Sequence, residues 1–212
     1  MRGVQPSPRS RAGYTLIEAV TALSIVVMAG SAILLSSQTM LTDTNESVRR
    51  TIAAGMAQQL LDEITCKRYM EVGQSSTGST LFYETGEAPG ASTPGRRVQF
   101  DDTDDFNTYT IMPAVGRYGE SLGTGDDAGG ERNSAFRIPT TFFSRWRQRA
   151  EVYYVNATNL NQRLTPVSGS TAAASVSGVR AVEVWIDYVD ADGTVRTLAN
   201  RRRVNAYLPP PS

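Results

Sequence analysis

One carboxylate stands out in this sequence by its position. Glu18 lies at the start of a run, residues 19–42, that contains no charged residue. A carboxylate placed where a membrane helix would begin is costly unless a positive group neutralises it. The position of Glu18 therefore raises the question of which positive group, if any, neutralises this carboxylate.

Residues that commonly carry catalysis are scarce in this chain. Histidine is absent, which removes the commonest general base and the commonest metal ligand. The single cysteine, Cys66, can form neither an internal disulfide nor a cysteine-based zinc site, and we expect its thiol to be buried. No pair of a nucleophile and a base stands out, so we expect that the protein is not an enzyme.

A second group of carboxylates lies in the stretch "FDDTDDF", residues 100–106. Calcium favours several carboxylate oxygens, so this stretch predicts a candidate calcium site, although it does not match an EF-hand loop. The alternative, which we favour, is a solvated acidic loop between strands, and no other cofactor is expected. The four candidate ligands are Asp101, Asp102, Asp104 and Asp105.

Two arginine-rich stretches raise the question of nucleic acid. The stretch "ANRRRVNAY" could contact DNA phosphates, and "SRWRQR" combines arginines with a tryptophan. Exposed arginines alternating on a strand explain the first stretch, and a surface cation–π cluster explains the second. The chain carries 21 basic and 21 acidic residues, so it has no overall pull toward a polyanion, and nucleic acid is not an expected partner.

The elements that position these residues begin with a long helix. The uncharged run of 24 residues would span about 36 Å as a helix, enough to cross a bilayer. An amphipathic pattern follows, in which apolar residues recur at four-residue spacing. Because no proline occurs between Tyr14 and Pro89, one continuous helix of roughly 55 residues is permitted. The predicted apolar stripe consists of Val48, Ile52, Met56, Leu60 and Ile64, with Ala53, Ala57 and Leu61 beside them.

The second half of the chain has the pattern of short strands. Residues 181–189 alternate between apolar and polar, and Asp192-Gly193 predicts a hairpin turn before a second strand that continues toward Tyr207. Residues 107–112 and 150–155 are further strand candidates. We therefore predict an α+β fold, in which a long N-terminal helix packs by its C-terminal half on a small antiparallel sheet, mainly on this hairpin.

Three interpretations compete for the N-terminal segment. A secretory signal would use the small residues Ala29 and Ser31 for cleavage, but the apolar run continues beyond them. A plain membrane anchor accounts for the apolar run but leaves Glu18 unexplained. The third interpretation takes "GYTLIE" as a unit, since Glu18 lies five residues after Gly13 and an aromatic residue, Tyr14, directly follows the glycine.

This unit, followed by an uncharged helix, resembles the N-terminal signal of type IV pilins and type II secretion pseudopilins. The resemblance implies that a prepilin peptidase cuts between Gly13 and Tyr14 and that Tyr14 becomes the N-methylated first residue; the family usually has Phe there. It also implies that Glu18 meets the N-terminal amine of a neighbouring subunit in a filament. Pairing of Glu18 with its own N-terminus is the alternative.

The resemblance sets the expected organisation and location of the chain. It implies a cytoplasmic leader (residues 1–13), a transmembrane and filament-core helix (14–42), an amphipathic continuation (43–70) and an extracytoplasmic β-rich domain (71–212). The basic leader places the N-terminus in the cytoplasm of a single-pass inner-membrane protein, with the C-terminal domain periplasmic, before assembly into a pseudopilus or pilus. The implied partners are prepilin peptidase, other pilin or pseudopilin subunits, the inner-membrane assembly platform and the lipid bilayer.

The stretch "AAGMAQQLLDEITCKRY" and the C-terminal paired strands are similar to minor pseudopilin I and the V-type minor pilins. This similarity implies a structural minor subunit. The alternative is a membrane-anchored extracytoplasmic binding module that recognises DNA, calcium or a secreted substrate.

Overall fold

The fold combines one long N-terminal helix with a small five-stranded antiparallel sheet, so the predicted α+β class is confirmed. The computed structural model describes residues 15–69, 96–125, 130–164 and 177–206, and the structural statements below concern these residues. The elements in chain order are α1 (Leu16–Thr65), β1 (Thr110–Ile111), α2 (Thr140–Phe143), β2 (Trp146–Asn156), β3 (Asn159–Arg163), β4 (Val179–Val189) and β5 (Val195–Ala206).

Helix α1 is continuous over 50 residues, as the absence of proline permits. The chain divides into two compact units with a boundary between Val48 and Arg49, inside this helix. The change in sequence character occurs close to the same place, because Asp43 is the first charged residue after Glu18.

The sheet is built on a long hairpin. Strands β4 and β5 pair in antiparallel register from Val179↔Ala206 to Val189↔Val195, with a bulge near Ile186. The turn between them contains Gly193 at a φ of +85°, a conformation that glycine adopts without steric cost. The predicted hairpin is therefore confirmed. Strand β2 pairs with the other edge of β4, and the order is β1-β2-β4-β5, with β3 paired to β2.

The core of the second unit lies between α1 and one face of this sheet. Five helix residues are buried: Ala53, Ala57, Leu60, Leu61 and Ile64. They pack against apolar side chains that alternate along β2 and β4, including Trp146, Val182, Val184 and Ile186. The segment before β1 adds a group of aromatic rings, Phe100, Phe106 and Tyr109. The helix therefore packs on the predicted hairpin and also on elements beyond it.

The predicted apolar stripe on α1 is correct only at its C-terminal end. Val48 is 50% exposed, and Ile52 and Met56 are only partly buried. A step of four residues advances about 40° around a helix of 3.6 residues per turn, so Val48 lies about 160° from Ile64 around the axis. The row at constant four-residue spacing therefore winds away from the core, whereas the alanines at 53 and 57 remain on the buried side.

Strand β1 is shorter than the predicted strand over residues 107–112. Thr108 has a φ of 60°, in the left-handed region, which interrupts an extended chain before Thr110. Pro113 follows closely and cannot donate a backbone hydrogen bond to a sheet. By contrast, the candidate at 150–155 is confirmed and extends to Trp146–Asn156.

Candidate functional site

Glu18 lies in the first turn of α1, which begins at Leu16. Thr15 caps this turn, since the Glu18 N–H donates to its hydroxyl at 3.4 Å and to its carbonyl at 3.1 Å. Thr-x-x-Glu is the pattern of a capping box, and a carboxylate in the first turn is favoured by the helix dipole. Among the described residues, however, the Glu18 carboxylate has no hydrogen-bond or ion-pair partner. The helix start thus tolerates this charge without neutralising it.

The helix after Glu18 is long and apolar enough to span a membrane. Its large apolar side chains from Leu16 to Leu41 are 55–86% exposed. Its hydroxyl groups are mostly satisfied within the helix, where water is not needed as a partner. The residues whose hydroxyls donate to the carbonyl four positions earlier, at 2.7–3.0 Å, are Ser24, Ser31, Ser37, Thr39, Thr42 and Thr44.

The predicted cleavage site, Gly13 and Tyr14, lies outside the described residues. The alternative pairing of Glu18 with its own N-terminus therefore stays a prediction. Thr15 and Glu18 are the members of the "GYTLIE" unit whose local hydrogen bonds are observed.

The acidic loop is mostly buried rather than solvated, so the alternative we favoured for it is wrong. Asp102, Asp104 and Asp105 are each at most 6% exposed, and only Asp101 is exposed. The carboxylates of Asp102 and Asp105 accept hydrogen bonds from backbone N–H groups of the same loop. The Asp102 Oδ1 accepts from the Asp104 N–H at 3.0 Å, and the Asp105 Oδ2 accepts from the Asp101 N–H at 2.8 Å.

Asp104, one of the buried carboxylates of this loop, pairs with a buried arginine. Asp104 Oδ1 accepts from Arg180 Nη1 at 2.9 Å, and Arg180 is 1% exposed. The same guanidinium donates to the Tyr154 hydroxyl at 3.0 Å and to the Tyr69 carbonyl, and the Tyr69 ring lies 4.5 Å from its Cζ. This cluster links four parts of the chain, namely the segment directly after α1, the acidic loop, β2 and β4.

Burial raises the pKa of Asp104 to about 7, against the opposing charge of Arg180 and with the help of the nearby Asp102 carboxylate. Within the described ranges, no group of three Asp, Glu, Cys or His side chains converges so that it could hold a metal ion. Calcium binding by the four aspartates therefore stays a prediction, and the observed role of Asp104 is to pair with Arg180.

The two arginine-rich stretches lie mainly on β2 and β5, with β4 between them. Arg201 and Arg203 are exposed on β5, and Arg203 pairs with Asp62 of α1 at 3.3 Å, in agreement with exposed arginines on a strand. In "SRWRQR", Trp146 is fully buried in the core, so the interpretation as a surface cluster around this tryptophan is wrong. Arg149 instead lies over Trp185 of the neighbouring strand at 5.0 Å.

The thiol of Cys66 is exposed, so the prediction of a buried cysteine is wrong. Cys66 follows the last residue of α1 and lies in the turn after it. Two residues before it, Ile64 is buried, and two positions along a helix differ by about 200°. The thiol therefore points away from the core.

Two polar clusters were not predicted as units, the Arg180 cluster and the contacts of Arg147 and Arg149 with Asp187 on the opposite sheet face. A signal for the first exists, since Arg180 is in phase with the buried Val182, Val184 and Ile186. An arginine in such a position requires a buried partner.

Comparisons of the chain with protein-family models, curated proteins and solved structures give no match.

Proposed function

We propose that this protein is a structural, pilin-like subunit, a minor pilin or pseudopilin, that prepilin peptidase cuts between Gly13 and Tyr14. The mature subunit is stored in the inner membrane and assembles with other pilin-like subunits, through the assembly platform, into a type II secretion pseudopilus or a type IV pilus. The observation that carries this proposal is the Glu18 carboxylate, which stands without a partner among the described residues at the head of an uncharged helix.

The proposal gives Glu18 the partner that it lacks among the described residues. Cleavage after Gly13 would create a positive amine on Tyr14, itself costly to bury in apolar surroundings. A neighbouring subunit, displaced along the filament axis, brings its amine beside Glu18, which neutralises both charges and sets the axial register. The pairing is strong because it forms in a medium of low dielectric constant.

The rest of the helix suits both locations that the proposal requires. Its exposed apolar side chains contact lipid in the stored subunit and neighbouring helices in the filament. Its internally bonded hydroxyls carry no unsatisfied donor into either environment. The basic leader keeps the N-terminus cytoplasmic, and the C-terminal unit faces the periplasm.

The proposal is tested by the assembly of a Glu18→Ala variant with partner subunits. The wild-type and variant chains are crosslinked in membranes that contain partner pilin-like subunits, and the partners recovered with each chain are quantified. We expect Glu18→Ala to be inserted and cleaved normally but to recover far fewer partners, because the neighbour's amine is left unpaired. Asp43→Ala, which removes the first exposed carboxylate after the uncharged run, is the matched control and should recover partners normally.

Equal recovery of partners by wild type and Glu18→Ala, with equal cleavage, would contradict an assembly contact at Glu18. Pairing of Glu18 with the N-terminus of its own chain would then be the better account.

A further inference from the structure

The face of the sheet that points away from α1 carries a compact group of charged and aromatic side chains. We call it the arginine–tryptophan cluster, and it consists of Arg147 and Arg149 of β2, Trp185 and Asp187 of β4, and Thr197 of β5. Its members are direct cross-strand neighbours, because Arg147 pairs with Asp187, Arg149 with Trp185, and Asp187 with Thr197. The whole cluster lies within the second compact unit.

Asp187 holds the two arginines in fixed positions. It is 0% exposed, and its Oδ2 accepts from Arg147 Nη2 at 2.8 Å and from Arg149 Nε at 2.7 Å. Thr197 donates its hydroxyl to Oδ1 at 2.8 Å. Burial alone would raise the pKa of Asp187, but the hydrogen bonds from Arg149, Arg147 and Thr197 hold it below its ordinary value. The carboxylate is therefore ionised and orders both guanidinium groups.

The cluster keeps an excess of positive charge and free donors. Two guanidinium groups share one carboxylate, and their side chains are 28% and 31% exposed. The Nη1 atoms of Arg147 and Arg149 have no hydrogen-bond partner among the described residues. Trp185 is partly exposed beside them and stacks on Arg149. Ordered arginines next to a tryptophan are the residues that most often dominate the energetics of protein interfaces.

We propose that the arginine–tryptophan cluster is a docking site for a carboxylate side chain in an acidic segment of a partner protein. The carboxylate accepts hydrogen bonds from the outward Nη1 atoms, and the partner's chain packs on Trp185. Because Asp187 has already ordered the guanidinium groups, binding loses little side-chain entropy.

The neighbouring charges favour a discrete carboxylate over a continuous polyanion. Glu151 and Glu183 are directly opposite each other across β2 and β4, two strand positions beyond Arg149 and Trp185. A nucleic acid carries negative charge at every nucleotide, so a strand laid along this face would meet these two glutamates. Arg163 pairs with Glu151 at 2.8 Å, and Arg202 lies opposite Glu183, so these glutamates have positive neighbours of their own. The two Nη1 donors of Arg147 and Arg149 suit one or two carboxylates.

The test uses the full chain in nanodiscs of phosphatidylcholine, labelled with 5-fluorotryptophan. The protein contains two tryptophans, so Trp146 in the core serves as an internal control for Trp185, and a Trp185→Phe variant assigns the two fluorine signals. On titration with a hexaglutamate peptide, we expect the Trp185 signal to shift saturably and the Trp146 signal to stay. Arg147→Gln should weaken the apparent affinity about tenfold. Arg117→Gln, at an exposed arginine outside the cluster, should leave it unchanged.

Three results would overturn the proposal. These are no shift of Trp185 in the wild type up to millimolar peptide, equal weakening by Arg147→Gln and Arg117→Gln, and tighter binding of a thymidine oligonucleotide of the same charge. The last result would assign the cluster to nucleic acid. Thermal unfolding of each variant reports whether it is folded. If Arg147→Gln does not fold, two wild-type results decide whether the proposal holds. These are the difference between the Trp185 and Trp146 signals on titration and the comparison with the oligonucleotide.

Discussion

At the scale of single residues, the buried charges of the second unit are held by partners on distant parts of the chain. Arg180 and Asp104 are separated by 76 positions, yet their ion pair is nearly inaccessible to solvent. Asp187 likewise pairs with arginines about 40 positions away. The two carboxylates differ in their titration, since the pKa of Asp104 is raised and that of Asp187 is lowered.

This difference predicts a pH dependence of stability. The pKa of Asp104 rises from an ordinary value of 3.8 to about 7 on folding. Stability from this group is thus fully present below pH 3.8 and is lost as the pH rises through about 7. Asp187, with its lowered pKa, stays ionised across this window. We expect a higher free energy of unfolding at pH 5.5 than at pH 8, measured by denaturant titration of the full chain in detergent.

Asp104→Asn removes the titrating carboxyl group and should flatten this dependence between pH 5.5 and pH 8. Asp101→Asn, at the exposed end of the same loop, is the control and should leave the slope as in wild type. If the unfolding free energy of Asp104→Asn changed with pH as steeply as that of the wild type, another group would be responsible for the pH dependence.

At the scale of elements, the buried side of α1 makes a testable contribution to stability. Leu60 is 1% exposed in the core, so Leu60→Asp buries an unpaired carboxylate and should cost more than about 4 kcal/mol of unfolding free energy. The control Gln59→Asp changes an exposed neighbour and should change stability by no more than about 0.5 kcal/mol. Denaturant midpoints of the full chain in detergent compare the variants. Equal midpoints for Leu60→Asp and wild type would contradict the observed packing of α1 on the sheet.

Gly55, on the same helix, is a position where a substitution should raise stability instead of lowering it. It is exposed, and apart from its chain neighbours and the adjacent backbone of the helix no atom lies within 4 Å of the position that a Cβ would occupy. Alanine loses less conformational entropy in a helix, so Gly55→Ala should stabilise the protein by about 0.5–1 kcal/mol in the same titration. A loss of stability would mean that this helix face contacts another surface.

Elements with local signals were predictable from the sequence, whereas contacts between distant residues were not. The helix follows from its composition and the absence of proline, and the β4–β5 hairpin follows from alternation and the Asp192-Gly193 turn. The burial of the acidic loop could not be predicted, because it depends on Arg180, a residue of another strand. At the candidate site, the position of Glu18 at the helix start was predictable, whereas its cap by Thr15 was not proposed.

At the scale of the whole molecule, chemical labelling of the single cysteine, Cys66, tests the proposed orientation of the chain in the membrane. Cys66 is exposed and lies after the apolar part of α1. If the C-terminal unit is periplasmic, a membrane-impermeant maleimide should label Cys66 in spheroplasts as fully as in lysed cells. A Cys66→Ser chain is the control for background labelling. Labelling only after lysis would place the C-terminal unit in the cytoplasm and contradict the proposed topology.

The central claim, processing as a pilin-like subunit, is tested most directly by the intact mass of the chain after co-expression with a prepilin peptidase. We expect the wild type to lose the thirteen residues Met1–Gly13 and to gain one methyl group on Tyr14. Gly13→Ala, or an inactive peptidase, should leave the full mass, because the peptidase requires a residue without a side chain at the cut. A wild-type chain that keeps its full mass, or that is cut near Ala29 or Ser31 as a secretory signal would be, would contradict the account.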